Sequence, residues 1–217
     1  MPVGVWICGA FVTLLVCATL AFAVFRPVQV LPLLRPAPPV SLRDADGVPV
    51  TLGRLSGAIV VFQFSALRCA APCPDGHQAL QQLQQRAAAA PLRLPVRLVT
   101  VVLDGQERPQ ALRARRAALG ADSPWWQFAT GDATQLKDAV GGGFGVYYAQ
   151  DRDGRIALDP ATVLVDERGI VRAEYRTAAP EAALIWRDIG LIAREASTRG
   201  AARALYSAAH LFLCYPR

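Results

Sequence analysis

The apolar residues of this chain form one long uncharged run and several short runs separated by polar turns. The long run covers residues 3–25 and contains no charged side chain. That length suffices for a helix to cross a lipid bilayer, so the pattern predicts an N-terminal transmembrane anchor over residues 1–25. A cleaved signal peptide is the alternative, because Ala21-Phe22-Ala23 resembles a cleavage site, although the segment before the apolar run lacks Lys and Arg.

The shorter apolar runs alternate between patterns typical of strands and patterns typical of helices. Continuous apolar runs at 58–64 and 96–103 predict buried strands, and the segments 74–90 and 108–119 predict the helices that follow them. This βαβ alternation predicts two parallel strands and therefore an α/β domain. The remaining predicted elements are a hairpin turning at Asp46-Gly47, a helix at 133–140, a hairpin over 162–175 and a helix from 180 to 213 that breaks near Gly200.

Proline and glycine mark the expected boundaries along the chain. Five prolines between residues 26 and 39 predict an extended linker, because proline disfavours both helix and strand. We expect the α/β domain over residues 40–178 and a C-terminal helical tail over residues 179–217. The glycines at 141–143 predict a flexible turn, since no Lys-Ser/Thr follows them as it would in a phosphate loop.

Charge and cysteine content narrow the function classes. The formal net charge is +6, but apart from Arg113, Arg115 and Arg116 the arginines are scattered and no base-reading motif accompanies them, which argues against nucleic-acid binding. The five cysteines are not a disulfide framework, because only Cys69 and Cys73 are close in sequence. The three arginines are expected to form an exposed helix face.

Cys69 and Cys73 are the strongest chemical signal. They lie in Cys69-Ala-Ala-Pro-Cys-Pro74, where a buried strand gives way to a helix. A thiolate at a helix N-terminus is stabilised by unpaired N–H groups, so its pKa falls and it becomes a better nucleophile or metal ligand. Two thiols at this spacing can form a disulfide or bind a soft metal together, and the pattern leaves both open.

Further motifs stand in a family-specific order around the cysteine pair. Cys-x-x-x-Cys-Pro follows the strand ending at Phe64, and Trp126-Gln-Phe-Ala-Thr-Gly131 and Val163-Leu-Val-Asp-Glu-Arg-Gly169 come after it. On these motifs residues 40–175 resemble the Sco/SenC family, membrane-anchored thioredoxin-like factors that help to build the copper centre of cytochrome oxidase. The resemblance implies a thioredoxin-like fold on the periplasmic side of a bacterial inner membrane and a protein partner, for which a cytochrome oxidase subunit is the candidate.

The resemblance also implies a copper site, which here lacks one ligand. Copper-carrying members use the two motif cysteines and a histidine before the late hairpin, but that position falls on Leu158, followed by Asp159. The chain's only histidines are His77 and His210. His77 comes four residues after Cys73 on the same predicted helix and could approach the thiols, but neighbouring glutamines favour an exposed position, and His210 lies in the tail. Copper is therefore a candidate cofactor held by the two cysteines alone.

Pro160 resembles the cis-proline that lies beside the dithiol in thioredoxin-like thiol reductases. The alternative is an ordinary trans-proline that opens a strand. With Cys69 and Cys73 it completes the predicted catalytic set. Cys69 comes first in the motif and is the expected attacking thiol, with Cys73 resolving the mixed disulfide. The reverse order is open, because a helix beginning at Pro74 would activate Cys73 more strongly.

Other polar and aromatic residues carry weaker expectations. Asp104 and Glu107 follow a strand end, where active-site residues often lie, but a solvated loop is the preferred interpretation. Trp125 and Trp126 are expected in the core or a groove wall.

Three functions remain: a membrane-anchored thiol–disulfide oxidoreductase acting on a partner protein, a Cu(I) metallochaperone, and a non-catalytic interaction module of oxidase assembly. The first is the preferred hypothesis.

Overall fold

The computed structural model describes residues 3–25, 29–71, 73, 76–104, 109–121 and 125–212. These residues belong to two compact units, Leu31–Thr198 and a smaller unit made of Met1–Val30 with Arg199–Arg217. The smaller unit begins with helix α1 (Val3–Phe25). Within the part of the chain that the structure describes, no helix combines the length and the hydropathy of a membrane span.

An eight-stranded mixed sheet organises the larger unit. Its strands are β1 (Arg35–Pro36), β2 (Ser41–Asp44), β3 (Pro49–Thr51), β4 (Ile59–Ser65), β5 (Val96–Val102), β6 (Trp126–Thr130), β9 (Thr162–Val165) and β10 (Ile170–Tyr175), and a separate hairpin consists of β7 (Tyr148–Gln150) and β8 (Ile156–Leu158). The strand order in the sheet is β1-β10-β9-β4-β5-β6-β2-β3. The strands β4, β5 and β6 run parallel, as the βαβ pattern predicts, and all other pairs are antiparallel.

Both faces of the sheet are covered by helices. These are α2 (Leu52–Leu55), α3 (His77–Ala89), α4 (Pro109–Ala118), α5 (Ala133–Leu136), the π-helix Lys137–Gly143 and α6 (Ala182–Ser197). Alternate residues of β4 enter two different cores, with Val61 packing in one and Phe62 in the other, so this strand is buried throughout. One core takes side chains from α3, α4 and α6, and the other takes them from α2, α5 and the π-helix.

The proline-rich segment is partly built into the sheet. Strand β1 lies at the sheet edge, where the missing N–H of Pro36 breaks no ladder. On either side of it, the amide of Leu34 donates to Val171 O at 3.0 Å and that of Ala37 to Gly169 O at 2.8 Å. The compact unit Leu31–Thr198 therefore includes part of the proline-rich segment at its start, and α6 packs in its core near its end.

Arg172 fastens the start of this unit from inside. Its side chain is 1 % exposed and lies at an irregularity of β10. The guanidinium pairs with Asp166 at 3.1 Å and Glu195 at 2.7 Å, and it donates to the carbonyls of Leu31 and Pro32. Arg172 therefore links the carboxylates of Asp166 and Glu195 to the backbone at the start of this unit.

The three glycines at 141–143 form part of the π-helix, where the sequence predicts a flexible turn. A side chain at Gly143 would collide with Pro38, and Gly143 O accepts a hydrogen bond from Arg35 at 2.9 Å. Glycine is therefore required there for the close approach of the N-terminal segment.

The C-terminal segment is helical, with the predicted break at Gly200, whose φ is +65°. Helix α7 (Ala201–Phe212) follows in the smaller unit.

Candidate functional site

The two motif cysteines are joined in a disulfide between β4 and α3. Their Cα atoms are 5.6 Å apart. Cys69 is half-buried and packs against the core that contains Phe62, whereas Cys73 is exposed. The two sulfur-bearing residues therefore differ in their access to a partner.

The β7–β8 hairpin fixes the backbone around Cys69. Ile156 of β8 pairs with Cys69 in a parallel bridge. The amide of Ala70 donates to Ile156 O at 2.9 Å, and the amide of Ile156 donates to Arg68 O at 2.7 Å. The backbone around Cys69 is thus joined to the hairpin by one isolated β-bridge and its two flanking hydrogen bonds. The sequence does not predict this hairpin, because its strands have only three residues each.

The tip of the hairpin is ordered by Asp151. Its carboxylate accepts hydrogen bonds from the amides of Arg155 at 2.8 Å and Asp153 at 2.9 Å, and from the Arg155 guanidinium at 3.0 Å. The amide of Arg155 contributes most to lowering the pKa of Asp151 below its ordinary value. Arg68 donates to the carbonyl of Asp153, so the tip is also tied to the residue before Cys69.

Asp104 contacts the same segment from the sheet side. Its two carboxylate oxygens accept hydrogen bonds from the amides of Leu67 at 2.7 Å and Arg68 at 2.9 Å. The expectation of a solvated loop residue was wrong, because this half-buried carboxylate holds the backbone immediately before Cys69. Its position after a parallel strand was the only sequence signal for this role.

A buried polar chain lies against Gly76, the residue before α3. Trp126 Nε1 donates to Thr100 Oγ1 at 2.9 Å, Thr100 Oγ1 donates to Gln63 Oε1 at 3.4 Å, and Gln63 Nε2 donates to Phe64 O at 3.1 Å. Gly76 lies against this glutamine: a Cβ on Gly76 would come within 2.8 Å of Gln63 Nε2. The core position expected for Trp126 is confirmed, since its side chain is 1 % exposed.

His77 is buried, so the expectation of an exposed helix position was wrong. Its side chain is 3 % exposed, and its ring stacks on Phe128 with centroids 6.3 Å apart. The first turn of α3 faces the core at His77, although the neighbouring glutamines suggest an exposed helix face. His210 is half-buried in α7 of the smaller unit.

Leu158 stands at the position that the resemblance assigns to a histidine ligand, and its side chain supplies no metal donor. Leu158 ends β8, is half-buried, and packs with Cys69 and Tyr148 against one core. Burial raises the pKa of Tyr148. Among the described residues there is no group of three His, Cys, Asp or Glu side chains suited to a metal ion. The donor set available here is therefore two sulfurs, which suit Cu(I) once the disulfide is reduced.

The other predicted residues lie outside this arrangement or add no chemistry to it. Pro160 is half-buried between β8 and β9 and remains a predicted groove residue. Arg113 and Arg116 pair with Asp46 at 3.2 and 3.8 Å and so contact the β2–β3 turn. Trp125 is 36 % exposed. Glu107 and Pro74 fall outside the described residues.

Solved Sco structures share this mixed α/β fold. An SCO1/SenC family lipoprotein from Bacillus anthracis matches with a TM-score of 0.66 and 22 % identity, covering 75 % of this chain and 97 % of that one. BsSco, described as a member of the Sco family of cytochrome c oxidase assembly proteins with a disulfide switch, matches at 0.60 and 21 %, covering 76 % and 98 %. Arabidopsis thaliana ScoI with copper bound matches at 0.60 and 21 %, covering 73 % and 98 %.

Among curated protein sequences, none matches this chain significantly. The profile of the SCO1/SenC family matches residues 35–190, which include the disulfide, the docked hairpin and the Asp104 contact. The chain therefore belongs to the SCO1/SenC family.

Proposed function

We propose that this protein, with Cys69 and Cys73 in the reduced form, reduces a disulfide of a partner protein by thiol–disulfide exchange during assembly of the copper centre of cytochrome oxidase, and so forms its own Cys69–Cys73 disulfide. One observation carries the proposal: an exposed Cys73 is bonded to a half-buried Cys69 that the hairpin holds in place. An asymmetric pair of this kind suits exchange, because one sulfur meets the partner while the other stays positioned to resolve the product. Pro160 is proposed to line the partner groove.

The exposed residue is the better attacking group, which reverses the order that the motif suggests. In the reduced protein the Cys73 thiolate attacks one sulfur of a partner disulfide and displaces the other as a thiolate. The Cys69 thiolate then attacks the Cys73 sulfur and releases the partner's second thiolate. Two electrons and two protons pass to the partner, and the Cys69–Cys73 disulfide re-forms. A thiol reductant restores the dithiol.

Assignment to oxidase assembly rests on the family. BsSco is described as a cytochrome c oxidase assembly protein, and a disulfide switch is described for it. Thiolates bind copper, whereas disulfides do not, so the cysteines of a copper-centre protein must be reduced before they bind the metal. Such a protein is a suitable partner for this exchange. A cytochrome oxidase subunit is accordingly our proposed partner.

An N-terminal anchor in the bacterial inner membrane, with the domain in the periplasm, is part of the proposal. It is supported by the absence of charged residues from 3 to 25, and the Cys69–Cys73 disulfide fits an oxidising compartment, in which disulfides persist. Fractionation of cells expressing the full chain tests it. The protein should remain in membranes after alkaline extraction and be degraded by protease added to spheroplasts. Release by alkali would contradict the anchor.

Trapping of mixed disulfides tests the exchange. The full chain, purified in detergent with Cys8, Cys17 and Cys214 replaced by serine, is reduced and mixed with a synthetic peptide that contains one disulfide. Cys69→Ser should accumulate a peptide adduct on Cys73, because no resolving thiol remains, and mass spectrometry detects it.

Cys73→Ser is the matched control for the trapping experiment. It should trap the peptide much more slowly, because the remaining thiol belongs to the half-buried Cys69. Faster trapping by Cys73→Ser would reverse the order of attack. No adduct with either variant would overturn the exchange.

Cu(I) binding is a second candidate, favoured by the copper-bound structure of Arabidopsis thaliana ScoI. The two thiolates of the reduced pair would hold the ion, without the third ligand that Leu158 replaces. Competition against a chromogenic Cu(I) chelator measures the affinity of the reduced protein. Leu158→His, which places an imidazole two residues after the Cys69 partner Ile156, should bind Cu(I) more tightly than Leu158→Gln. Equal affinities would show that this position does not reach the metal.

A further inference from the structure

Where strands β4 and β5 diverge, the carboxylate of Asp104 takes the place of a backbone carbonyl as the hydrogen-bond acceptor for the amides that follow β4. The β4–β5 ladder ends with the amide of Leu103 donating to Ser65 O at 2.9 Å. Beyond this pair the chain turns away toward Cys69, and the next amides lose their neighbours in the sheet. Asp104 bridges that gap, with one oxygen accepting from Leu67 and the other from Arg68.

The segment leading to Cys69 is therefore held from two sides. Asp104 binds the amides of Leu67 and Arg68, while Ile156 of the hairpin pairs with the backbone of Arg68, Cys69 and Ala70. None of these contacts involves a sulfur atom. Reduction of the disulfide therefore breaks none of them directly, and we expect the backbone of Cys69 to stay in place while its thiolate approaches Cys73.

We propose that Asp104 is a positioning residue for Cys69, which keeps its thiol at a high effective concentration relative to Cys73. This rests on the proposed exchange at the same disulfide. A fixed thiol closes the disulfide by an effectively intramolecular step, and loosening its backbone lowers the effective concentration of the pair. Asp104 should thus set how readily the disulfide forms, without touching the reacting sulfurs.

The test measures the thiol–disulfide equilibrium of the full chain in glutathione buffers, in the background that lacks the other three cysteines. Asp104→Ala should lower the equilibrium constant for disulfide formation by about tenfold. Asp104→Asn keeps one acceptor oxygen and should shift the constant less, in the same direction, and it carries the test if the alanine variant does not fold.

Asp44 supplies the matched control. Its carboxylate also accepts two amides, from Asp46 at 2.9 Å and Val48 at 2.8 Å, but in the β2–β3 turn. Asp44→Ala loses the same kind of contacts and should leave the equilibrium constant unchanged. An unchanged constant in both Asp104 variants, or an equal shift in Asp44→Ala, would overturn the positioning role. Neither result affects peptide trapping by Cys69→Ser, so failure of the proposed exchange is distinguished from failure of this inference.

Discussion

Gly76→Ala tests whether the loop carrying the disulfide rests directly on the core. The added Cβ would lie 2.8, 3.0 and 3.1 Å from Nε2, Cγ and Cδ of Gln63. Contacts under 3.0 Å require something to move. The φ of Gly76 is −76°, which alanine adopts readily, so the expected effect is steric and not conformational.

The Gln63 side chain cannot move away from the added methyl group without losing hydrogen bonds. Its side chain is 1 % exposed, and its amide group bonds both Phe64 O and Thr100. If the glutamine stays, overpacking costs about 1–3 kcal/mol. If it swings away, buried polar groups lose their partners at a similar cost of about 1–3 kcal/mol. Both routes predict that Gly76→Ala lowers the free energy of unfolding by about 1–3 kcal/mol.

Urea denaturation followed by tryptophan fluorescence measures this change. Gly190→Ala is the control: Gly190 lies within α6, a methyl group added there would have no atom within 4 Å, and alanine should stabilise the helix by up to about 1 kcal/mol. Combining Gly76→Ala with Gln63→Ala should cost less than the sum of the single changes, because the second change removes the obstacle. A neutral Gly76→Ala, or strict additivity, would refute the contact.

Two further predictions concern the charged groups around β10. Arg172→Met should destabilise the protein by about 3–5 kcal/mol, because it removes the buried partner of Asp166 and Glu195 and leaves them only the exposed Arg168. Arg168→Met should cost less than about 1 kcal/mol, since that side chain is 52 % exposed. Equal losses in urea denaturation would contradict the difference in burial. Burial alone would raise the pKa of Glu174, but the guanidinium groups of Arg176 and Arg35 outweigh it and hold the pKa below 4.5. The resulting stabilisation is present above pH 4.5 and is lost as the pH falls through the folded-state pKa, so the stability difference between the wild type and Glu174→Gln should shrink on acidification; a constant difference would count against the pairing.

The elements that the sequence predicts well are those encoded locally. Continuous apolar runs locate β4 and β5 because both strands are buried on two faces, and the spacing of Cys69 and Cys73 alone predicts that they can bond. The break at Gly200 follows equally from a local signal, since glycine adopts a positive φ without strain.

The features that the sequence does not reveal depend on contacts between distant segments. Asp104 accepts a hydrogen bond from an amide 37 residues earlier in the chain, and the hydrophobic periodicity of the sequence does not predict such a contact. The burial of His77 depends on Phe128 of another strand, and strand β1 forms only because β10 offers an unpaired edge. Each of these required the assembled sheet.

The unequal exposure of the two cysteines also constrains the direction of approach. Thiolates displace a disulfide sulfur along the S–S axis, entering opposite the sulfur that departs. Because Cys73 is exposed whereas Cys69 is half-buried and packs against a core, we expect an attacking thiolate to reach the Cys73 sulfur more readily than the Cys69 sulfur. On the proposed exchange, thiols that reduce this disulfide should therefore become attached to the same sulfur, that of Cys73.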